Sequence, residues 1–291
     1  MANAQQLVRA SDSLISPAAE WPWWRATRQH YVILPWFILI HATAAVGLIL
    51  FPVPDWRILL AAVSLSWIGG LGTTICYHRS LAHRALRLNP WISGVLTFFA
   101  VLNGSGSPTT WVASHRVHHA HADTAQDLSS PVWRGFWWAH LRWLWQAESP
   151  SVALYCPDLD RPLYRIWRPL QPPILALSFF GGLYFGLCAF FWLGAIRLVF
   201  SLHAQCFVNS VCHSQPDTPV GEDSSRNVRW LGLMHFFQGE NWHRNHHARP
   251  AGARLGQTWR QPDVGYAVIC IFERMGLASN VRRARTPGSA S

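Results

Sequence analysis

YVILPWFILIHATAAVGLILF (31–51) carries no charged side chain over 21 residues. About 20 apolar residues are needed for a helix to cross roughly 30 Å of hydrocarbon, so this stretch reads as a membrane span. The turn FPVPDW (51–56) follows, and ILLAAVSLSWIGGLGTTICY (58–77) reads as a second span, closing a helical hairpin. Residues 91–106 are apolar but short and end in Gly and Ser, which suits a re-entrant or interfacial helix and leaves a further span open. Residues 107–172 are more polar and rich in Trp, Arg and Pro. Residues 173–213 are apolar for too long to form one span. Gly194 and Arg197 mark a turn that divides them into spans near 174–192 and 195–213.

Composition agrees with a membrane protein. Half of the 291 residues are hydrophobic and 13% are charged, against about 25% charged in an ordinary soluble domain. The expected fold is an all-α integral membrane protein with four transmembrane helices and a helical cytoplasmic cap. An interfacial segment (1–30) precedes the main domain (31–275), and a disordered tail (276–291) follows it. The N-terminus opens polar (MANAQQLVRASDS), without a cleaved signal peptide's apolar region, then turns Trp-rich (WPWW, 21–24), as interfacial segments do.

The net charge is +10, and all 24 basic residues are arginine. With four spans, Arg57 and Arg197 fall near the short hairpin loops and the other arginines lie on the opposite side. The positive-inside rule then places both termini and the polar block in the cytoplasm, with a bacterial inner membrane as the natural setting. The six cysteines form no CxxC pair, and most sit in or beside apolar runs, so they read as small core residues rather than a zinc site.

Histidine supplies the chemistry. Eight of the fifteen fall in three groups: His78 and His83 (HRSLAH), His115, His118 and His119 (HRVHH), and His243, His246 and His247 (HRNHH). The two HxxHH groups each occupy one helical face. Residues five apart on an α-helix diverge by about 140°, so His78 and His83 face one site only if the helix ends between them, or else each reaches a different metal. Eight imidazoles exceed the needs of one ion and suit two, with iron, copper, nickel and zinc all compatible. A carboxylate-bridged bundle is disfavoured: the chain has five glutamates, and among the box histidines only Glu240 and His243 have Glu-x-x-His spacing. His30, His41, His121, His140, His203 and His235 read as hydrogen-bonded structural residues.

HxxxxH, HxxHH and HxxHH, in this order between apolar spans, resemble the membrane fatty-acid desaturases, in particular the Δ9 acyl-CoA or acyl-lipid (stearoyl-CoA desaturase-like) branch. The likeness runs over about 31–275 through HRSLAHRA (78–85), WVASHRVHHAHADTAQD (111–127), FVNSVCH (207–213), EDSSRN (222–227) and GENWHRNHHA (239–248). It implies two iron ions held by the eight box histidines and His213, with Asn209 reaching a metal through water. Asn209 and His213 are also one helical turn apart at the end of the last span. The likeness matches Trp111 to a residue lining the acyl tunnel. Arg226, Asn227 and Glu240 match the family pattern and orient ligands or fix the cap. Asp123 and Asp127 either hydrogen-bond the outer imidazole nitrogens or are solvated loop carboxylates. DLSSP (127–131) departs from the DPHSP frequent in relatives, which removes a histidine but no ligand.

The resemblance implies desaturation of a saturated acyl chain to a cis alkene with O2 as co-substrate and two electrons. The acyl group is carried on coenzyme A, phospholipid or carrier protein. No HPGG motif of a fused cytochrome b5 is present, so electrons are expected from a separate donor such as ferredoxin and its reductase. Membrane lipids are expected partners and nucleic acid is not. A membrane di-iron fatty-acid or alkane hydroxylase is the alternative enzyme, although HRxLAHR and NSxxH favour the desaturase. A metal-binding or transport protein is the non-enzymatic alternative. Against it, the histidines lie at span ends, not along a path through them.

Overall fold

The computed structural model describes residues 21–283 except 216 and 220. Most of the expected interfacial segment (1–20) and the end of the tail (284–291) lie outside the described residues. The fold is helical, with one two-stranded antiparallel pair, β1 (Arg87–Leu88) and β2 (Ala278–Ser279), among those residues. This pairing ties residues of the expected tail to the chain just after the first histidine group.

Among the described residues, three helices are long and apolar enough to cross a membrane: α1 (Ile33–Leu50), α2 (Trp56–Ala82) and α6 (Leu187–Cys212). The outward face of α1 exposes Ile38, Leu39, Val46, Leu48 and Ile49, while Ile40, Ala44 and Gly47 turn inward. A lipid-facing helix has that pattern, because hydrocarbon and a protein core both accept apolar side chains. Gly47 allows the close approach of α1 to α6, since a Cβ there would lie 2.6 Å from the Cβ of Phe191. Asp55 starts α2 by accepting a hydrogen bond from the Arg57 amide at 2.8 Å.

α3 (Pro90–Leu102) is 13 residues long, opened by Asn89 as cap and Pro90 at the first helical position. It is apolar but too short to count among the spans. α4 (Pro108–His121), capped by Ser107, carries the second histidine group. α5 (Trp167–Phe180) includes Pro172 and Pro173 and passes into the 3-10 turn Gly181–Phe185.

The loop expected at Gly194 and Arg197 is instead inside α6. The chain reverses between Gly181 and Gly186, and Gly186 takes φ +101, a conformation open to glycine without a steric penalty. Gly194 is needed for packing: a Cβ there would meet the Phe179 carbonyl oxygen at 2.4 Å. Arg197 is 3% exposed. Its guanidinium donates to the carbonyls of Leu193 and Leu102, to Asn103 Oδ1 and to the Ser178 hydroxyl. An arginine read from sequence as a loop charge is thus a buried tie among α3, α5 and α6. The expected pair of spans at 174–192 and 195–213 becomes one long helix and a shorter, proline-containing one.

α2 also departs from expectation by running on past residue 77. Its last part, Gly72–Ala82, is π-helical. Gly72 sits where a Cβ would lie 2.2 Å from the Leu96 carbonyl oxygen, so α2 and α3 touch backbone to backbone there. The amide of His83 bonds to the carbonyl of His78 at 3.1 Å, a five-residue step. α7 (His243–Ala248) holds the third histidine group and α8 (Val264–Arg274) closes the cap.

Candidate metal centre

The wide turn answers the question posed by HxxxxH. A bond from i to i+5 widens the last turn, and the helix ends at Ala82 with His83 as its cap, so His78 and His83 meet edge to face at one site. Their ring centroids are 5.0 Å apart.

Nine histidines converge in two groups. In the first, ligand atoms of His78, His83, His115, His119 and His246 all lie within 4.8 Å of one another; in the second, those of His118, His213, His243 and His247 do. The contacts are repeatedly Nε2 to Nε2. His78 meets His246 at 3.0 Å, His246 meets His119 at 2.9 Å, and His83 meets His115 at 2.8 Å. In the second group His213 meets His118 at 3.1 Å and His243 at 2.8 Å, with His247 3.4 Å from His118. Two nitrogens bound at about 2.1 Å to one ion and at right angles stand about 3.0 Å apart. The observed separations match that spacing.

Each HxxHH helix serves both groups. His115 and His119, four apart, enter the five-histidine group, while His118 enters the other. In the third motif the roles exchange: His243 and His247 enter the four-histidine group and His246 the five. All three imidazoles of a motif share a helical face, but that face spans two sites. His119 and His247 stack at 4.4 Å between centroids, where the groups abut.

Carboxylates fix four of the rings from behind. His78 Nδ1 lies 2.9 Å from Glu240, His118 Nδ1 2.9 Å from Asp127, His213 Nδ1 2.9 Å from Asp123 and His247 Nδ1 3.1 Å from Asp223. Such contacts fix the tautomer that leaves Nε2 free to bind a metal. Asp123, at φ +57, also accepts from the Ser224 amide and hydroxyl and from Ser130. Asp127 accepts from the amides of Asp123 and Ser129. Ser129, within DLSSP, therefore braces Asp127 by its amide and hydroxyl.

Electrostatics keep the site ready for a cation. Burial alone would raise the carboxyls of Asp123 and Glu240. The paired His213 and the Ser224 donors hold Asp123 down to about 2, and His78, Arg79 and Thr74 hold Glu240 down to about 2. Asp223 is likewise pulled far down by His247. Burial, reinforced by neighbouring rings, lowers His83 to about 2 and pushes His115, His243 and His246 well below the ordinary range. His247 falls to about 4. His118 is the exception: burial would lower it, but Asp127 raises it above the usual value. Mostly neutral imidazoles backed by ionised carboxylates fit a metal cation, which binds only the deprotonated nitrogen.

The remaining sequence-derived residues divide. Trp111 stacks on His115, with centroids 4.8 Å apart and an interplanar angle of 18°, so it walls the five-histidine group. Asn209 is half-buried one turn before His213, and its side chain has no hydrogen-bond partner among the described residues. Arg226 and Asn227 make no hydrogen bond to a histidine side chain among the described residues. Arg226 donates to the Val211 carbonyl at 3.1 Å, and Asn227 exchanges hydrogen bonds with Asn245 at the start of α7. Both brace the cap. Asp223 was missed as a single residue although EDSSRN contains it. Nothing in its spacing announces that a loop carboxylate 24 positions from His247 folds against it.

The family comparison agrees with this geometry. The fatty acid desaturase family model matches residues 54–260. Delta-9 acyl-lipid desaturase 2 of Arabidopsis thaliana is 35% identical over 275 residues, covering 90% of this chain and 86% of that protein. Delta-9 acyl-lipid desaturase 1 of the same plant is 36% identical over 240 residues, with 78% and 76% covered. The sn-1 stearoyl-lipid 9-desaturase of Anabaena variabilis is 35% identical over 241 residues, with 79% and 86% covered. Neither the hydroxylase nor the metal-transport reading is favoured by these relatives. The chain belongs to the fatty acid desaturase family and is an oxidoreductase that desaturates fatty acyl chains.

Proposed function

We propose that the protein is a Δ9-type acyl-lipid desaturase that places a cis double bond in a saturated chain at a di-iron centre. The observation that carries this reading is the division of nine histidine Nε2 atoms into groups of five and four. His78, His83, His115, His119 and His246 would hold one iron. His118, His213, His243 and His247 would hold the other, with Asn209 positioned for a water. Iron is preferred among imidazole-compatible metals because bound iron, with O2 and two electrons, supplies the oxidising power that protein side chains lack for an unactivated C–H bond.

The chain's own residues position and insulate that chemistry. Glu240, Asp127, Asp123 and Asp223 orient rings, Trp111 closes the side toward Tyr77, and buried apolar residues from α2, α3 and α4 exclude water. Trp111 is the residue proposed to contact the acyl chain near the reacting carbons. The names of the relatives support a lipid-borne acyl group over one on coenzyme A or carrier protein. The arginine excess supports an acidic separate electron donor such as ferredoxin. It also supports a bilayer orientation with both termini and the histidines on the cytoplasmic side.

The test is gas chromatography–mass spectrometry of total fatty acids from a host expressing the chain, with derivatisation to locate new double bonds. New Δ9 cis-monoenes in complex lipids support the reading. Hydroxy acids, or an unchanged profile with a ferredoxin and its reductase co-expressed, overturn it. Trp111→Ala should retain metal while shifting the chain lengths used; proportional metal loss would make Trp111 a structural prop for His115.

A further inference from the structure

The chain that carries the third histidine group is strongly basic. Residues 243–262 (HRNHHARPAGARLGQTWRQP) hold four arginines and no acidic residue. Arg244, Arg249, Arg254 and Arg260 are all exposed, and none makes an ion pair among the described residues. Elsewhere Arg84, Arg165 and Arg283 are exposed too, but each lies against a carboxylate of this chain. Arginines without such a partner keep their attraction for an acidic surface that arrives from outside.

Trp259 stands within this charge. Its indole is 84% exposed, and the Arg260 guanidinium lies 4.9 Å from the ring centre. Beside it opens a cleft of about 370 Å3, lined by Arg254, Trp259, Gln261, Tyr266 and Cys270. Asp263 also borders the cleft, but Arg79 and the amides of Leu255 and Tyr266 already engage its carboxylate. Arg254 is therefore the charge that an incoming group meets. Tryptophan and arginine around a concave site are the composition of a protein-binding hot spot. A segment lying on a bilayer would instead gather its apolar residues on one continuous face, whereas Trp259 stands between Thr258 and Arg260, both exposed.

The basic loop is tied to the helix that bears the metal-binding rings. Asn245 lies between His243 and His246 on α7. Its Nδ2 donates to the Leu255 carbonyl at 2.9 Å and to Gln261 Oε1 at 3.0 Å. Trp242, directly before His243, donates from its indole to the Pro262 carbonyl at 2.8 Å. The loop also closes on itself: a Cβ at Gly256 would lie 2.1 Å from the Gln261 carbonyl oxygen. A molecule seated on Trp259 is thus joined to His243 and His246 through a few covalent and hydrogen bonds rather than through open water.

We propose that Arg244, Arg249, Arg254, Arg260 and Trp259 form the docking surface for an acidic one-electron carrier protein, whose electrons enter through α7. This rests on the desaturase reading, whose balance is R–CH2–CH2–R′ + O2 + 2 e− + 2 H+ giving R–CH=CH–R′ + 2 H2O. Two reduced carriers dock in turn, and each is oxidised by one electron. The acyl chain supplies the other two electrons that reduce O2, and both protons enter from solvent.

The test uses the full-length, iron-loaded chain in nanodiscs of zwitterionic lipid, with a purified acidic iron–sulfur ferredoxin as the carrier. Binding is measured by surface plasmon resonance at low and high salt, and steady-state kinetics gives the KM for the carrier. The proposal predicts binding that weakens with salt, affinity about thirtyfold lower in Trp259→Ala, and association about tenfold slower at low salt in the double variant Arg254→Glu, Arg260→Glu. The carrier KM should rise in both while iron is retained, and Arg57→Glu, at the far end of α2, should match wild type. Wild-type affinity and carrier KM in both variants overturn the proposal, and so does binding that ignores salt. An environment-sensitive dye on Trp259→Cys should respond to ferredoxin and not to anionic lipid placed in the nanodisc; a response to lipid alone assigns this face to the bilayer and overturns the proposal too. Binding needs no turnover, so the two failures are distinguishable. Ferredoxin bound as predicted without any acyl product overturns the desaturase reading, whereas new cis alkene with unchanged carrier binding in the variants overturns the docking surface.

Discussion

His247 reaches the four-histidine group by Nε2 and is held from behind by one carboxylate, that of Asp223. Asp223→Asn keeps the shape but removes the charge that fixes the ring. Loss of such an outer partner costs about 10–100-fold in metal affinity or activity, so the variant should lose metal to a chelator well before wild type does. A chelation curve matching wild type would show that Asp223 is an incidental neighbour. Glu240, Asp127 and Asp123 were recognisable in sequence because they lie within or beside the histidine motifs. Asp223 was not, because its role depends on how the loop after α6 folds back. Arg226 and Asn227 were matched to the family pattern for a similar reason, yet their hydrogen bonds go to the cap.

Among the elements, the end of α2 decides the site. It carries His78 into the five-histidine group and, one residue on, Arg79 toward the cap. Arg79 is 1% exposed and donates to Asp263 at 3.0 Å and to the carbonyls of Gln238 and Ala253. Removing one partner of a buried pair leaves an uncompensated charge, at about 3–5 kcal/mol. Arg79→Met should therefore lower the thermal midpoint markedly in detergent. Asp263→Asn should do so less, because the two carbonyl acceptors remain; equal midpoints for all three proteins would contradict this account. The spans around 31–51 and 58–77 were legible from hydropathy because α1 and much of α2 face outward. The π-helical turn was not, since a five-residue step leaves no mark in an apolar pattern. Gly194 and Arg197 misled for a physical reason: close packing and a buried charge use the same residue types as a loop.

At the scale of the whole molecule, folding from α2 to α7 gathers nine histidines, and for His83, His115, His119, His243, His246 and His247 protonation opposes folding. His83 and His247 sit at about 2 and about 4 in the folded chain, against an ordinary 6.5. Below pH 6.5 the unfolded chain therefore binds more protons than the folded one, and stability is lost as pH falls from 6.5 toward those values. The paired carboxylates are held below 3.8 and lose their contribution only below that pH. Metal-free protein should thus have a lower thermal midpoint at pH 5 than at pH 7.5, and bound metal should reduce the difference near neutrality by competing with protons. An unchanged midpoint would mean that the rings are hydrated rather than buried.

The central claim is that each HxxHH helix feeds two separate metal positions. Iron per chain, measured in purified wild type and in His246→Ala and His118→Ala, tests it most directly. The account predicts about two irons in wild type and about one in each variant. It further predicts that the residual iron differs spectroscopically between the variants, because a different group is left intact in each. A single metal in wild type, or identical residual spectra in the two variants, would contradict the division into five and four.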